Sequence, residues 1–147
     1  RANPQWNDLA EGQEALAIFQ GPHAYISPSW YTVAPSVPTW NYAIVHAYGR
    51  PRIVSDPTEL HAMLARLVDT HESGFAEPWR MDLPADYMER MMRGVVGFEL
   101  EITRLEGKAK LSQNRSAEDR AGVVAALAPS ADPLAAAVAG MMEREDT

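Results

Sequence analysis

The spacing of apolar residues changes its period along this chain, and that change limits the folds that the chain can adopt. Residues 24–31 and 39–54 are rich in Tyr, Trp, Ile and Val and are interrupted by Pro and Gly, as is typical of strands joined by short turns. Residues 60–68 instead carry apolar side chains at helical spacing, and residues 96–103 alternate apolar and polar side chains as a half-buried strand does. This order of strands and helices predicts an α+β fold with an antiparallel sheet.

Several helices have recognisable starts. Asp56-Pro57 combines a capping side chain with Pro at the first helical position, and Asp132-Pro133 repeats the combination. Ser116 is a capping residue for a further helix, which we expect to end near residue 129. These signals predict two helices in the C-terminal part of the chain and one in its middle.

The pattern also predicts which side chains are buried. Residues 15–19 form a continuous apolar run before Gly21-Pro22, which predicts a strand that is buried on both faces and stops there. Residues 106–108 read as a turn. The side chains expected to be buried on the middle helix are Leu60, Met63, Leu64, Leu67 and Val68. Those expected to be buried on a shorter helix over residues 85–93 are Tyr87, Met88, Met91 and Met92.

The composition narrows the class of protein. The chain has 147 residues, 46% of them hydrophobic, so we expect residues 1–147 to form one domain without the help of disulfides. It contains no Cys, which excludes a thiolate zinc site and a Cys nucleophile and fits a cytoplasmic protein. A net charge of −7 opposes binding to nucleic acid by overall charge, and no apolar segment is long enough to cross a membrane.

The motifs of common catalytic and metal sites do not occur. His61 and His71 are ten residues apart, whereas a two-His zinc site on a helix needs a spacing of about four. No Ser lies in a Gly-x-Ser-x-Gly elbow, and there is no Gly-rich phosphate loop. We therefore predict neither a catalytic residue nor a metal ligand.

Two stretches have residue types suited to a ligand. Residues 23–31 and 37–42 hold two of the four Trp and three of the five Tyr, which suits a wall for a flat ring as well as it suits a core or a subunit interface. Residues 108–115 carry two Lys, an Arg, a hydroxyl and two amides before a helix N-terminus. They fit a phosphate cradle, or a solvated turn with a helix cap.

Three strings in these stretches resemble the signature strings of PaiB-type proteins, which are bacterial negative transcriptional regulators with an FMN-binding split-barrel domain. They are residues 21–31 (GPHAYISPSWY), 37–42 (VPTWNY) and 110–115 (KLSQNR), and the opening residues 1–6 (RANPQW) agree as well. Members of that family carry a further N-terminal segment. The resemblance therefore implies that this chain corresponds to the C-terminal two-thirds of the family's length, without the first barrel strands.

The resemblance also implies the architecture and the ligand. We expect an antiparallel split β-barrel with peripheral helices, incomplete at its N-terminus, and a homodimer that holds FMN at the subunit interface. The phosphate would be bound by basic and hydroxyl side chains near one barrel edge, and the partner subunit would close over the ring. The cofactor-binding residues that the resemblance implies are Arg1, Asn3, Trp40, Asn41, Tyr42, Lys110, Ser112, Gln113 and Arg115.

Three functions remain open at this point. The preferred one is a PaiB-like negative transcriptional regulator, dimeric and cytoplasmic. The net charge and the lack of a basic recognition helix oppose direct contact with DNA, so we expect repression to be indirect or to use residues 108–115. The alternatives are a flavin-dependent oxidoreductase of the split-barrel class, in which the flavin supplies the redox chemistry, and a dimeric structural module without a ligand.

Overall fold

The computed structural model describes residues 2–145, which form an α+β fold with one three-stranded antiparallel sheet. The strands are β1 (Ala15–Ile26), β2 (Thr39–Val54) and β3 (Gly97–Lys110). The α-helices are α1 (Gln5–Ala10), α2 (Pro57–Glu72), α3 (Ala85–Met92), α4 (Ala117–Leu127) and α5 (Pro133–Glu145). Within residues 2–145 the sheet has the order β1-β2-β3 and does not close, as in part of a split barrel, so the predicted fold class is confirmed.

Two compact units make up the described chain. The first contains residues 2–16 and 48–104, and the second contains residues 17–47 and 105–145. Each strand contributes residues to both units.

The core of the second unit is formed by the end of β1, the residues after β3, and helices α4 and α5. Its fully buried side chains include Ile26, Leu111, Val123, Val138 and Met142. Burying side chains of this size contributes about 1.5–3 kcal/mol each, so this cluster is the main apolar contribution to the stability of the unit.

In the first unit, helix α2 covers one end of the sheet. Gly97, at the start of β3, lies against the side chains of Val54, Leu60 and Met63, and a Cβ atom at this position would collide with Leu60. Gly97 therefore lets the helix approach the strand closely.

The helix starts agree with the sequence prediction. Asp56 accepts a hydrogen bond from the backbone N–H of Thr58, and its Oδ1 lies 2.8 Å from that nitrogen. Ser116 Oγ accepts from the N–H of Asp119, and helices α2 and α4 each begin at the next residue. Asp132, the residue before α5, accepts a hydrogen bond in the same way from the N–H of Leu134.

The predicted interruptions of the strands are wrong. Strand β1 continues through Gly21-Pro22, β2 continues through Gly49, and β3 continues through the predicted turn at residues 106–108. A Cβ atom at Gly49 would overlap the carbonyl oxygen of Glu101 on the neighbouring strand. This glycine therefore serves close strand approach rather than a turn.

Several burial predictions are also wrong. Ile18 and Phe19 of β1 are 57% and 62% exposed, although their apolar run predicted a strand buried on both faces. Within residues 2–145 more than half of each of these two side chains stays exposed to solvent. The other residues predicted as buried that are exposed are Leu16, Leu67, Tyr87, Met91, Phe98 and Ile102.

Candidate functional site

An exposed group of aromatic rings lies on the sheet of the second unit. The ring of Trp40 lies 5.5 Å from that of His23 and 6.3 Å from that of Tyr25, centre to centre, and meets the latter edge-on. Trp40 is 51% exposed. We call His23, Tyr25, Trp40 and Tyr42 the aromatic surface. Three of its residues, His23, Trp40 and Tyr42, line a cavity of about 420 Å³ together with Gln20, Ala43 and Ile44.

The alternation of side chains along β2 places these rings. Successive residues of a strand point to opposite faces. Asn41 is fully buried in the core of the second unit, so its neighbours Trp40 and Tyr42 lie on the other face. In β1 the buried residues Ala24 and Ile26 alternate with the ring-bearing ones in the same way.

Two lysines of β3 lie beside this part of β2. Lys108 Nζ is 5.9 Å from the centre of the Tyr42 ring. Lys110 Nζ donates a hydrogen bond to Thr39 Oγ1, next to Trp40 in the sequence. Lys108 therefore brings a cationic group next to Tyr42 of the aromatic surface, in an arrangement that suits a flat ring carrying an anionic substituent.

Two other predicted site residues lie in the core. Asn41 Nδ2 donates to Ser112 Oγ at 3.0 Å, and Ser112 Oγ lies 3.3 Å from Asn41 Oδ1. Asn41 Nδ2 is also 3.5 Å from the sulfur of Met142 on α5. Both polar side chains are buried, so they hold the end of β3 to β2 rather than face a ligand.

Gln113 likewise makes contacts that organise the chain. Its Oε1 accepts a hydrogen bond from the N–H of Leu111, and its Nε2 donates to the carbonyl of Ala109 and to Glu145. These bonds satisfy backbone groups where the chain turns from β3 towards α4.

Arg115 packs over the ring of Tyr31, with its guanidinium carbon 4.0 Å from the ring centre. It also donates to Ser36 Oγ, and it lies 3.8 Å from a carboxylate oxygen of Asp119. Its charge is thus directed at a neighbouring loop and helix within the second unit.

Asp119 is buried and binds the loop that follows β1. Its carboxylate accepts from the N–H of Thr32 at 2.7 Å and from the Thr32 hydroxyl at 2.9 Å. Burial would raise the pKa of Asp119. Hydrogen bonds from Thr32 and from the N–H of Val33, together with the charge of Arg115, outweigh burial and hold the pKa below its ordinary value.

The remaining predicted residues lie elsewhere. Asn3 belongs to the first unit, where its Oδ1 accepts a hydrogen bond from the N–H of Gln5 at the start of α1. It also lines a cavity of about 250 Å³ with Trp6 and Phe98. Arg1 lies outside the described residues.

The structure therefore groups Trp40 and Tyr42 on one side of the sheet, with Lys110 bound to Thr39 at the start of the same strand, and leaves the other predicted residues apart from them. His23 and Lys108 lie in the two stretches suited to a ligand but are absent from the cofactor-binding residues that the family resemblance implies. The period of two along a strand was the signal for both, since His23 shares a face with Tyr25, and Lys108 shares one with Lys110. Within residues 2–145, no group of three His, Asp or Glu could hold a metal ion, and no helix is both long and apolar enough to cross a membrane.

Comparison with known families fits this geometry. Residues 1–104 match the family described as "Putative FMN-binding domain". The chain belongs to this family. The matched residues include the whole aromatic surface but not Lys108 or Lys110.

The chain is similar to curated proteins of bacteria and fungi. It is 37% identical over 142 residues to the Protease synthase and sporulation protein PAI 2 of Bacillus subtilis, covering 96% of this chain and 68% of that one. It is 36% identical over 132 residues to an uncharacterized protein of Emericella nidulans, covering 79% and 53%. A 77-residue match to an uncharacterized protein of Saccharomyces cerevisiae is 40% identical and covers 49% and 46%. The resemblance to PaiB-type proteins is confirmed, and the chain spans about half the length of the two fungal relatives.

Proposed function

We propose that this chain acts as a PaiB-like negative transcriptional regulator and binds FMN on the aromatic surface. The observation that carries the proposal is the half-exposed ring of Trp40, which lies beside His23 at the cavity of about 420 Å³. The solvent-exposed face of this large ring is apolar surface that a ligand can cover. Covering its exposed half with a flat ligand would contribute about 2 kcal/mol.

The residues present fit FMN. The faces of Trp40 and Tyr42 suit its ring system, and the ammonium groups of Lys108 and Lys110 suit its phosphate. Thr39 holds the Lys110 ammonium in place, which lowers the entropy lost when an anion binds. Bound FMN supplies redox chemistry and visible absorbance. The work of this chain's residues is to bind the ring, orient it and exclude water from one face.

Asn41, Ser112 and Gln113 support the site indirectly in this proposal. They fix the end of β3 against β2, and this fixes Lys108 and Lys110 relative to the aromatic surface. We do not assign them to the cofactor itself, because Asn41 and Ser112 are buried.

The binding proposal is tested by titrating FMN and following the quenching of its fluorescence. Trp40→Leu is expected to weaken binding at least about tenfold, which corresponds to the loss of one stacked ring. Trp79→Leu is the matched control, since Trp79 is 49% exposed and lies in the first unit. Equal affinities of the wild type and Trp40→Leu would overturn the assignment.

We also propose that two copies of the chain form a homodimer through the sheet. Ile18, Phe19 and Leu105 carry large apolar side chains on the strands of the second unit, and each is more than half exposed. Apolar side chains exposed in this number commonly mark an interface between proteins.

We propose that the protein acts in the cytoplasm. We also propose that its regulatory role does not depend on an overall electrostatic attraction to DNA. The net charge of −7 repels phosphates, so repression would act through another protein or through the local basic segment at residues 108–115. A gel-shift series at low salt tests this: retention of DNA by wild-type protein but not by Lys108→Ala would assign DNA contact to that segment.

A further inference from the structure

A cavity in the first unit is formed by residues other than those of the aromatic surface and has no role in the proposed function. It has a volume of about 650 Å³ and is formed by the end of β2, the first turns of α2, the segment before α3, and α3. Small-molecule sites typically measure about 300–1,000 Å³. The cavity is therefore large enough for a ligand of modest size.

Most of the lining is apolar and adaptable. Eight of its thirteen residues are apolar, and three of these eight are methionines, Met81, Met88 and Met92. Leu60 and Leu83 contribute to the same surface. Methionine side chains are flexible and polarizable, so they can adjust to ligands of different apolar shape.

Two lining residues of opposite charge lie one helical turn apart. Glu89 is on α3, and Arg93 follows it at the end of that helix. Residues four apart lie on the same face of a helix and commonly form an ion pair. Among residues 2–145, however, neither side chain has an ion-pair partner within 4.0 Å. The cavity therefore presents the unpaired carboxylate of Glu89 and the unpaired guanidinium group of Arg93 beside its apolar lining residues.

We infer that this cavity binds a short apolar peptide through its two termini. Glu89 would bind the terminal ammonium, Arg93 would bind the terminal carboxylate, and the methionines would contact the apolar side chains. Four helical residues span about 6 Å along the axis, and two extended peptide residues span about 7 Å. The rise between these two positions of the helix thus matches the length of a dipeptide rather than that of a free amino acid.

The test uses protein labelled with ¹³C in the methionine methyl groups and leucyl-leucine as the probe. The chain has seven Met, and Met→Leu substitutions assign the signals. Leucyl-leucine is expected to shift the signals of Met81, Met88 and Met92 and to leave that of Met142 unchanged. Met142 is fully buried in the second unit, so its signal also shows that this unit is folded in each variant.

Peptides with one blocked terminus test the two charged contacts separately. Blocking the ammonium as N-acetyl-leucyl-leucine, or the carboxylate as leucyl-leucine amide, should each weaken binding about tenfold. In Glu89→Gln, acetylation of the peptide should no longer weaken binding, whereas amidation still should. In Arg93→Gln, amidation should no longer weaken binding, whereas acetylation still should. Arg90→Gln is the control, because Arg90 lies on the same helix over the ring of Tyr87.

Three results would overturn the inference. The first is that leucyl-leucine at about 10 mM leaves the three methionine signals unmoved. This concentration is well above the dissociation constant that two charged contacts should give. The second is that both blocked peptides bind as tightly as the free peptide. The third is that leucine alone binds as tightly as the dipeptide. None of these results bears on FMN binding, which is measured separately.

Discussion

Asn41 and Ser112 lie 71 positions apart in the sequence, yet their side chains are hydrogen bonded to each other in the core of the second unit. Ser112 has a φ of 62°, in the left-handed region that residues other than Gly, Asn and Asp seldom adopt. The bond thus holds an unfavourable backbone conformation at the end of β3, where the chain turns towards α4.

Removing one partner of this buried pair should destabilise the protein strongly. Asn41→Ala leaves the Ser112 hydroxyl without its partner and creates a cavity, so we expect a loss of about 2–3 kcal/mol in the free energy of unfolding. Ser112→Gly should cost less, because Gly relieves the left-handed conformation while losing the hydrogen bond. Urea unfolding measures both, and a larger loss for Ser112→Gly than for Asn41→Ala would contradict this explanation.

Asp119 should make stability depend on pH in the acid range. Its pKa in the folded protein is held below the ordinary value of 3.8, so the ionised form stabilises the fold above that value. This contribution is lost as the pH falls through the folded pKa. Asp119→Asn should therefore be less stable than the wild type at neutral pH, and the difference should shrink in acid.

The measurement is the urea midpoint of both proteins from about pH 7 down to about pH 3. Glu118→Gln is the control, because Glu118 is the exposed preceding residue of α4. A difference between Asp119→Asn and the wild type that stays constant over the whole range would show that the charge of Asp119 is not responsible.

The two lysines of β3 should distinguish FMN from riboflavin, which lacks the phosphate. Lys108→Ala and Lys110→Ala are each expected to weaken FMN binding about tenfold, the size of one charge-assisted contact, and to leave riboflavin binding unchanged. Arg66→Ala on α2 is the control for a general loss of positive charge. If the lysine variants lose as much affinity for riboflavin as for FMN, the lysines do not bind the phosphate.

The homodimer proposal predicts a change of mass on substitution of Phe19. Wild-type protein should have the mass of a dimer in size-exclusion chromatography with light scattering, and Phe19→Asp should have that of a monomer, since a buried unpaired charge opposes association. Phe75→Asp is the matched control, because Phe75 is 63% exposed and Phe19 is 62% exposed. A monomeric wild-type protein, or a dimeric Phe19→Asp, would contradict the proposal.

The helix starts could be read from the sequence because each depends on neighbouring residues. Asp56 and Ser116 cap the helices that follow them through hydrogen bonds to residues two and three positions later. The extents of the strands could not be read in this way. Gly49 marks a turn by composition, but in the fold it admits the carbonyl of Glu101, a partner that only strand pairing brings near.

The candidate site was predictable only in part for the same reason. The aromatic content of residues 23–31 and 37–42 marked the aromatic surface, and the period of two along a strand indicates that His23 and Tyr25 share a face. The burial of Ser112 depends on Asn41 and on α5, which follow from tertiary packing and not from the local string that contains Ser112. Only the tertiary packing therefore shows which residues of these sequence strings can face a ligand and which are buried in the core.

The most direct test of the central claim is the two-dimensional ¹H–¹⁵N spectrum of the Trp indole groups during an FMN titration. The chain has four Trp, so the spectrum reports on Trp40 and on three internal controls. We predict that FMN shifts the indole signal of Trp40 by stacking on its ring, and that the signal of Trp79 in the first unit stays in place. An unmoved Trp40 signal at saturating FMN would contradict the claim that this family member binds FMN on its aromatic surface.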